Sequence, residues 1–446
     1  MPRNLPRLHG QAGAIAVWFA VVTGNAAAAT LCVNHNPNSG CFPTIGAAIA
    51  AASPGDTITV APGVYNTEVR ITIPLSLIGS GAAQTTINAS GRNNGIFING
   101  ISKNLTPGQN TLREVTVTGF TVKNANFEGI LVANASFVTL RHNRVIQNNA
   151  ALNTANGTCP NIPAFETNEG FDCGEGIHLI GVDHAIVADN DVENNAGGIL
   201  LSDETGPTDR NVITGNRVRN NAFDCGITLA SHSPAKFTQA AAPFGAFDNT
   251  IADNDSSRNG LGLAGEGAGV GLFAPGPQNK TYGNVVVDNR LTGNGLPGVA
   301  IHNHAPTQNI NLGDNVIVDN FIAGNGPGTD VETTPGTAVA TGVSLLGVSL
   351  ISGTVITHNV IEDEAIDIAV NNANNAAAAI DAHLNDLPGG GIGIANLGAG
   401  TINAQQNWWG CAGGPGTPGC SSVTGANVVT APFLTAPVAL LVTARR

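Results

Sequence analysis

Charge is scarce in this chain of 446 residues: Asp, Glu, Lys and Arg make up 11% of it, against roughly 25% in ordinary soluble domains. Only four residues are lysine. The formal net charge is −13, and setting aside Arg3 and Arg7 of the N-terminal stretch makes it −15. Nucleic acid is excluded as a partner, because no basic stripe exists to displace counterions from a phosphate backbone. A polyanionic glycan is repelled as well unless a cation bridges it. Long apolar runs are also missing. Ala14–Val22 and the C-terminal PVALLVTARR both fall short of the roughly 20 residues that cross a bilayer, so no membrane span is expected. Aromatics are 4% of the chain, whereas glycine contributes 57 residues. Asn, Thr and Ser keep such a chain soluble. The 42% of apolar residues, placed at strand period, is enough to bury a core and argues against disorder.

Arg3 and Arg7, the apolar run and the small residues Ala26–Ala29 read as a secretory leader over residues 1–29, cleaved near Ala28 or Ala29. A secreted or periplasmic chain can form disulfides. Cys32 and Cys41, Cys159 and Cys173, and Cys411 and Cys420 are three close pairs, each placed to staple a loop. Cys225 stands alone and reads as a buried apolar thiol.

Ten short segments begin alike. GIFI at Gly95, GILV at Gly129, GIHL at Gly176, GILL at Gly198, GITL at Gly226, GVGL at Gly269, GVAI at Gly298, GVSL at Gly342, AIDI at Ala365 and GIGI at Gly391 are one strand, repeated. A second element, Asn followed by a variable and usually an aliphatic residue, recurs at Asn143, Asn190, Asn216, Asn254, Asn289, Asn320, Asn359, Asn385 and Asn407. Its spacings of 47, 26, 38, 35, 31, 39, 26 and 22 describe a unit near 22 residues with insertions. A period of that size means a solenoid. Val/Ile alternation makes each unit a coil of short strands, stacked about 4.8 Å apart by parallel pairing. The leucine-heavy consensus of leucine-rich repeats is absent. The recurring Asn is expected at a bend in left-handed φ, its amides bonding from coil to coil.

The stretch TIGAAIAAASPGDTITVAPGVYN, the G-I/V-x-L and N-x-V repeats and the closing NWWGCAGGPGTPGC resemble the right-handed parallel β-helix proteins of the pectin-lyase-like superfamily, from about Cys32 to Pro437. The resemblance implies an all-β solenoid of roughly ten or more coils. It includes lyases, hydrolases and epimerases of polysaccharides, and many uncharacterised secreted proteins. One β-helix domain is expected over 30–437, with an N-terminal cap at 30–60 that carries a Thr44-capped helix, a C-terminal cap at 408–437 and a tail at 438–446. Trp408 and Trp409 are expected to plate the last coil.

Insertions mark the functional face. They fall after the first strand, at Ser233–Asp248, Pro275–Gly283 and Ala305–Gly313, and before it, at Ala150–Asp172, Arg258–Gly267 and Gly326–Thr341. Loops that grow on both sides of one face make it the floor of a cleft. Counting from each strand's Gly, even positions point outward. They bring His178, Ser202, Phe273 and His302 to the floor as substrate contacts, with Glu204, His232 and His304 as catalytic candidates. Asp203 replaces Glu204 if the strand turns early. Glu204 and His232 lie one coil apart, a spacing suited to an acid/base pair. Arg210 and Lys236 flank the floor and could reach substrate. Asp172, Glu175, Asp224 and Glu266 precede the strand and are a weak Ca²⁺ set, Ca²⁺ being the one candidate cofactor. His302-x-His304 would need a third ligand from another coil to hold Zn²⁺.

The expected function is a secreted, monomeric protein that binds polysaccharide and acts on it as lyase, hydrolase or epimerase in this cleft. The alternative is a non-catalytic extracellular glycan-binding or matrix protein. Ice binding would need a regular Thr ladder, which the walled face lacks.

Overall fold

The structure, a computed structural model, describes residues 28–102, 110–150, 162–167, 174–262, 267–303, 309–329, 336–347, 351–372 and 379–438. The chain winds as a right-handed parallel β-helix with three long sheets of 14, 10 and 12 strands, and successive coils pair in parallel in each. The 12-stranded sheet is built from the G-I-x-L segments. It holds all ten expected strands and gains one at each end, Val69–Ile71 and Ser422–Thr424. Register is constant from coil to coil, Ile177 beside Ile199, Ile199 beside Ile227 and Ile227 beside Val270. Side chains alternate across a strand. Ile177, Leu179, Ile199, Leu201, Ile227 and Leu229 therefore fill the central core, while His178, Ser202 and Ala230 take the outer side. The leading glycine is demanded by packing: a Cβ on Gly198 would lie 2.0 Å from the carbonyl oxygen of Gly226 in the next coil.

Asn forms not one ladder but three. From Asn190 to Asn407 each Oδ1 accepts the backbone N–H of the preceding ladder Asn, as Asn216 does from Asn190 at 3.0 Å and Asn254 from Asn216 at 3.0 Å, while the first member, Asn143, accepts from Phe120. A second ladder runs five residues later, through Asn148, Asn195, Asn221, Asn259, Asn294 and Asn325, and ends on the carboxylate of Glu364. A third runs five residues earlier, through Asn211, Asn249, Asn284 and Asn315. The expected bend is displaced by one position. Left-handed φ belongs to the residue before each ladder Asn, such as Asp189, Asp253, Asp288 and Asp319, and the Asn itself secures the turn.

Both ends are closed. The helix Ile45–Ala51 is capped by Thr44, whose Oγ1 accepts from Ala47 N–H at 3.1 Å, and it buries Ile45 and Ala48 over the first coil. An amphipathic cap of this kind shields unpaired strand edges. A strand at Thr30–Val33, absent from the sequence reading, pairs with Asp56–Val60 just behind it. Trp409 is fully buried in the last coil and Trp408 only partly. Cys32–Cys41 and Cys411–Cys420 are disulfides. Cys159 and Cys173 lie outside the described residues. Cys225 is buried beside Ala268, Leu296 and Ala300, its Sγ accepting from Ala268 N–H at 3.2 Å.

Candidate functional site

The outer face of the 12-stranded sheet carries a line of polar side chains across four adjacent coils. Glu128 precedes the strand Ile130–Ala133, and Glu175 and His178 lie on Glu175–Ile180. Ser202 ends Gly197–Ser202 with Asp203 and Glu204 just beyond, and His232 follows Ile227–Ala230. Coil stacking converts these separations into contacts. His178 Nδ1 lies 3.2 Å from Glu128 Oε1, and its Nε2 lies 2.8 Å from Ser202 Oγ. His232 Nδ1 lies 3.2 Å from Glu204 Oε1. The one-coil adjacency of Glu204 and His232 is thus present.

Their exposure is not as expected. Glu204 is 3% and His232 1% accessible, and His178, Ser202 and His302 are buried too. The open floor is replaced by a covered one: residues 162–167 lie across it, Phe165 packing at 6.3 Å on Phe97 and Thr167 N–H donating to Glu204 Oε1 at 3.1 Å. A covering segment has no periodicity, so its position could not be read from the repeat.

Burial splits the carboxyl groups into two classes. Desolvation pushes Glu128 up to about 8, and Glu166 and Glu175 are raised by burial and by neighbouring carboxylates. Burial would raise Glu204 as well, but the His232 imidazole overrides it, with lesser help from His178 and Ser202, and holds the group at about 2. Burial lowers His178. Asp203 rises to about 6 through burial and the nearby Glu204 charge. Its oxygens accept from Ser231 Oγ at 3.0 Å, His232 N–H at 2.6 Å and Gly245 N–H, so it shapes the turn that presents His232.

The other candidates scatter. Phe273 stands between His232, at 6.2 Å edge-on, and His302, at 5.2 Å, extending the line two coils further. Arg210 is over half exposed and bonds Asp209 at 2.8 Å, and Lys236 is exposed in the turn Lys236–Thr238, so neither lies in the cluster. Glu175 and Asp224 flank Gly197 from either side, a Cβ there meeting Glu175 Cγ at 3.2 Å and Asp224 Cβ at 3.3 Å. Asp172, Glu266 and His304 lie outside the described residues, and with them the rest of the proposed Ca²⁺ set and the His302-x-His304 pair. Two members were missed, Glu128 and Glu166. Glu128-Gly129-Ile130 repeats as Glu175-Gly176-Ile177, a signal that was legible; Glu166 had none.

Residues 50–239 match the family model described as periplasmic copper-binding protein (NosD), which is less than half of the chain. No curated protein matches. Among solved structures, a GH87 α-1,3-glucanase catalytic domain aligns at 13% identity and TM-score 0.50, covering 84% of this chain and 63% of that one. The chain thus spans less than two thirds of that glucanase domain. DFA-IIIase from Arthrobacter chlorophenolicus A6, without its lid, aligns at 13% identity and TM-score 0.51, covering 89% and 99%. The Dettilon tailspike protein aligns at 12% identity and TM-score 0.54, covering 85% and 64%. Together with the parallel sheets, these define the fold: a right-handed parallel β-helix.

Cu(I) does not fit the residues described. Cu(I) prefers thiolate and thioether ligands. The only methionine is Met1, four described cysteines are in disulfides, and Cys225 sits in an apolar pocket. The outer-face cluster offers carboxylates and imidazole instead.

Proposed function

We propose that the chain is an exported polysaccharide-active protein whose chemistry is acid–base catalysis centred on Glu204 and His232. The observation that carries this is the Glu204–His232 contact at 3.2 Å, on the outer face of the sheet, in line with carboxyl groups held protonated. Two classes of carboxyl in one site, one ionised and one neutral near pH 7, are what proton removal and proton delivery require. The glycan-acting proteins of the same fold support this choice of substrate, as do the two disulfides for export. Reaction types that need a basic residue on the floor are disfavoured, since Arg210 and Lys236 lie away from it.

A screen over pectin, alginate, chondroitin and neutral glycans, read by both unsaturated uronates and reducing ends, tests the reading. Activity on at least one, reduced by Glu204→Gln, is expected; no turnover on any of them refutes it. The cover of residues 162–167 over Glu204 favours a second reading, a non-catalytic glycan-binding β-helix. Binding without turnover, unchanged by Glu204→Gln, would select it.

A further inference from the structure

We propose that Glu128, Glu166 and His178, with Glu175 beside them, hold one divalent metal ion of borderline hardness, Zn²⁺ in preference to Mn²⁺, on the outer face of the sheet. The ligand atoms of Glu128, Glu166 and His178 all lie within 4.8 Å of one another. Donors on a shared tetrahedral centre with bonds of about 2.1 Å lie roughly 3.4 Å apart, so small side-chain adjustments close the set.

Unsatisfied oxygens are the second, independent observation. Glu128 Oε2 and Glu166 Oε1 are buried with no hydrogen-bond partner among the described residues, the Glu175 carboxyl faces that of Glu128, and Glu128 and Glu175 are at most 1% accessible. Native interiors rarely leave such atoms unpaired. No described lysine or arginine forms an ion pair with them.

The hydrogen-bond direction at His178 agrees. Nε2 lies 2.8 Å from Ser202 Oγ, and when it donates there Nδ1 is left as the lone pair 3.2 Å from Glu128 Oε1, a separation that suits two ligands of one ion. An outer partner that fixes the tautomer is the usual companion of a ligating histidine. One imidazole among carboxylates suits Zn²⁺ or Mn²⁺, is too soft for a Ca²⁺ site of 6–8 oxygens, and lacks the sulfur that Cu(I) selects.

This inference does not rest on the glycan reading, because metal binding is measured without substrate. Chelator-treated full chain is titrated by calorimetry with ZnCl2, MnCl2 and CaCl2 in turn, with bound metal counted after desalting. One equivalent of Zn²⁺ is expected, with Mn²⁺ weaker and Ca²⁺ at least tenfold weaker than Zn²⁺, and the melting temperature should rise on Zn²⁺ addition. Glu166→Gln and Glu175→Gln should each weaken Zn²⁺ at least tenfold, while Arg217→Ala, on another sheet, should not. Glu166 lies on the covering segment, so its variant reports even if Glu128→Gln does not fold. Absence of stoichiometric Zn²⁺ and Mn²⁺ binding, binding indifferent to both glutamine variants, or Ca²⁺ binding as tightly as Zn²⁺ would overturn the proposal.

Discussion

Two buried polar networks run along this solenoid, and they are built to opposite rules. In the Asn ladders donors and acceptors match. Asn216 accepts from Asn190 through Oδ1 and gives its own amide to Val187, Thr214 and Asn254. On the outer face, the buried carboxyls of Glu128, Glu166 and Glu175 crowd together with few donors to meet them, and Glu166 Oε1 has none among the described residues. Satisfied networks rigidify, whereas unsatisfied ones cost free energy that a purely structural role does not justify. The ladders hold coils in register, and the outer-face line is where we propose that a ligand binds.

The largest expected effect sharpens the outer-face half of this contrast. Glu204→Gln should lower glycan turnover by about 10²–10⁴-fold, the usual contribution of one acid/base group. Gln keeps an acceptor for Thr167 N–H. His232→Ala is a poorer probe than exposure would have made it, because truncating a residue 1% accessible opens a cavity and costs stability too.

Next in size is a break in a ladder. Asn216→Ala strands the Asn190 amides and two carbonyls, and should destabilise the fold by about 3–5 kcal/mol in urea unfolding, at roughly 1–3 kcal/mol per orphaned buried group. Glu175→Gln, in chelator, should move the other way. Replacing a carboxyl that burial already disfavours in its charged form by a neutral amide should leave stability unchanged or raise it by up to about 2 kcal/mol.

A third network at the C-terminal end adds pH dependence. Burial pushes Glu364 up to about 7, and burial with the Glu364 charge pushes Asp367 up to about 8. Both folded-state values exceed those of the unfolded chain. Their contribution is therefore complete below about pH 4 and lost as pH rises through 7 and 8, with a slope of at most about 1.4 kcal/mol per pH unit for each group. Urea midpoints should fall from pH 5 to pH 8.5, and Asp367→Asn should flatten that fall. The smallest effect belongs to the surface: Arg217 bridges Asp191 at 3.2 Å while half exposed, and Arg217→Ala should change stability by no more than about 0.5 kcal/mol.

How much of this was legible follows from the same contrast. Whatever repeats could be read: the strand starts from Gly95 to Gly391, the Asn143–Asn407 ladder, and the adjacency of Glu204 and His232, which needs only coil counting. The two extra ladders were equally periodic, at five residues either side of the first; the earlier one even carries the same Asn-x-aliphatic pattern, at Asn211, Asn249, Asn284 and Asn315, and was legible, whereas the later one carries it only in part. What does not repeat could not be read. Glu166 and Phe165 come from a single insertion that folds back over the face, so the burial of Glu204 and the company of Glu128 are facts of tertiary structure alone.

The most direct test of the central claim pairs two measurements on one variant, unfolding free energy and glycan turnover of Glu204→Gln. The account predicts turnover reduced by at least 10²-fold per folded molecule, beyond whatever stability is lost with the buried His232 pairing. Turnover undiminished, or lost only in step with folding, would contradict it and leave the outer face as one more structural network.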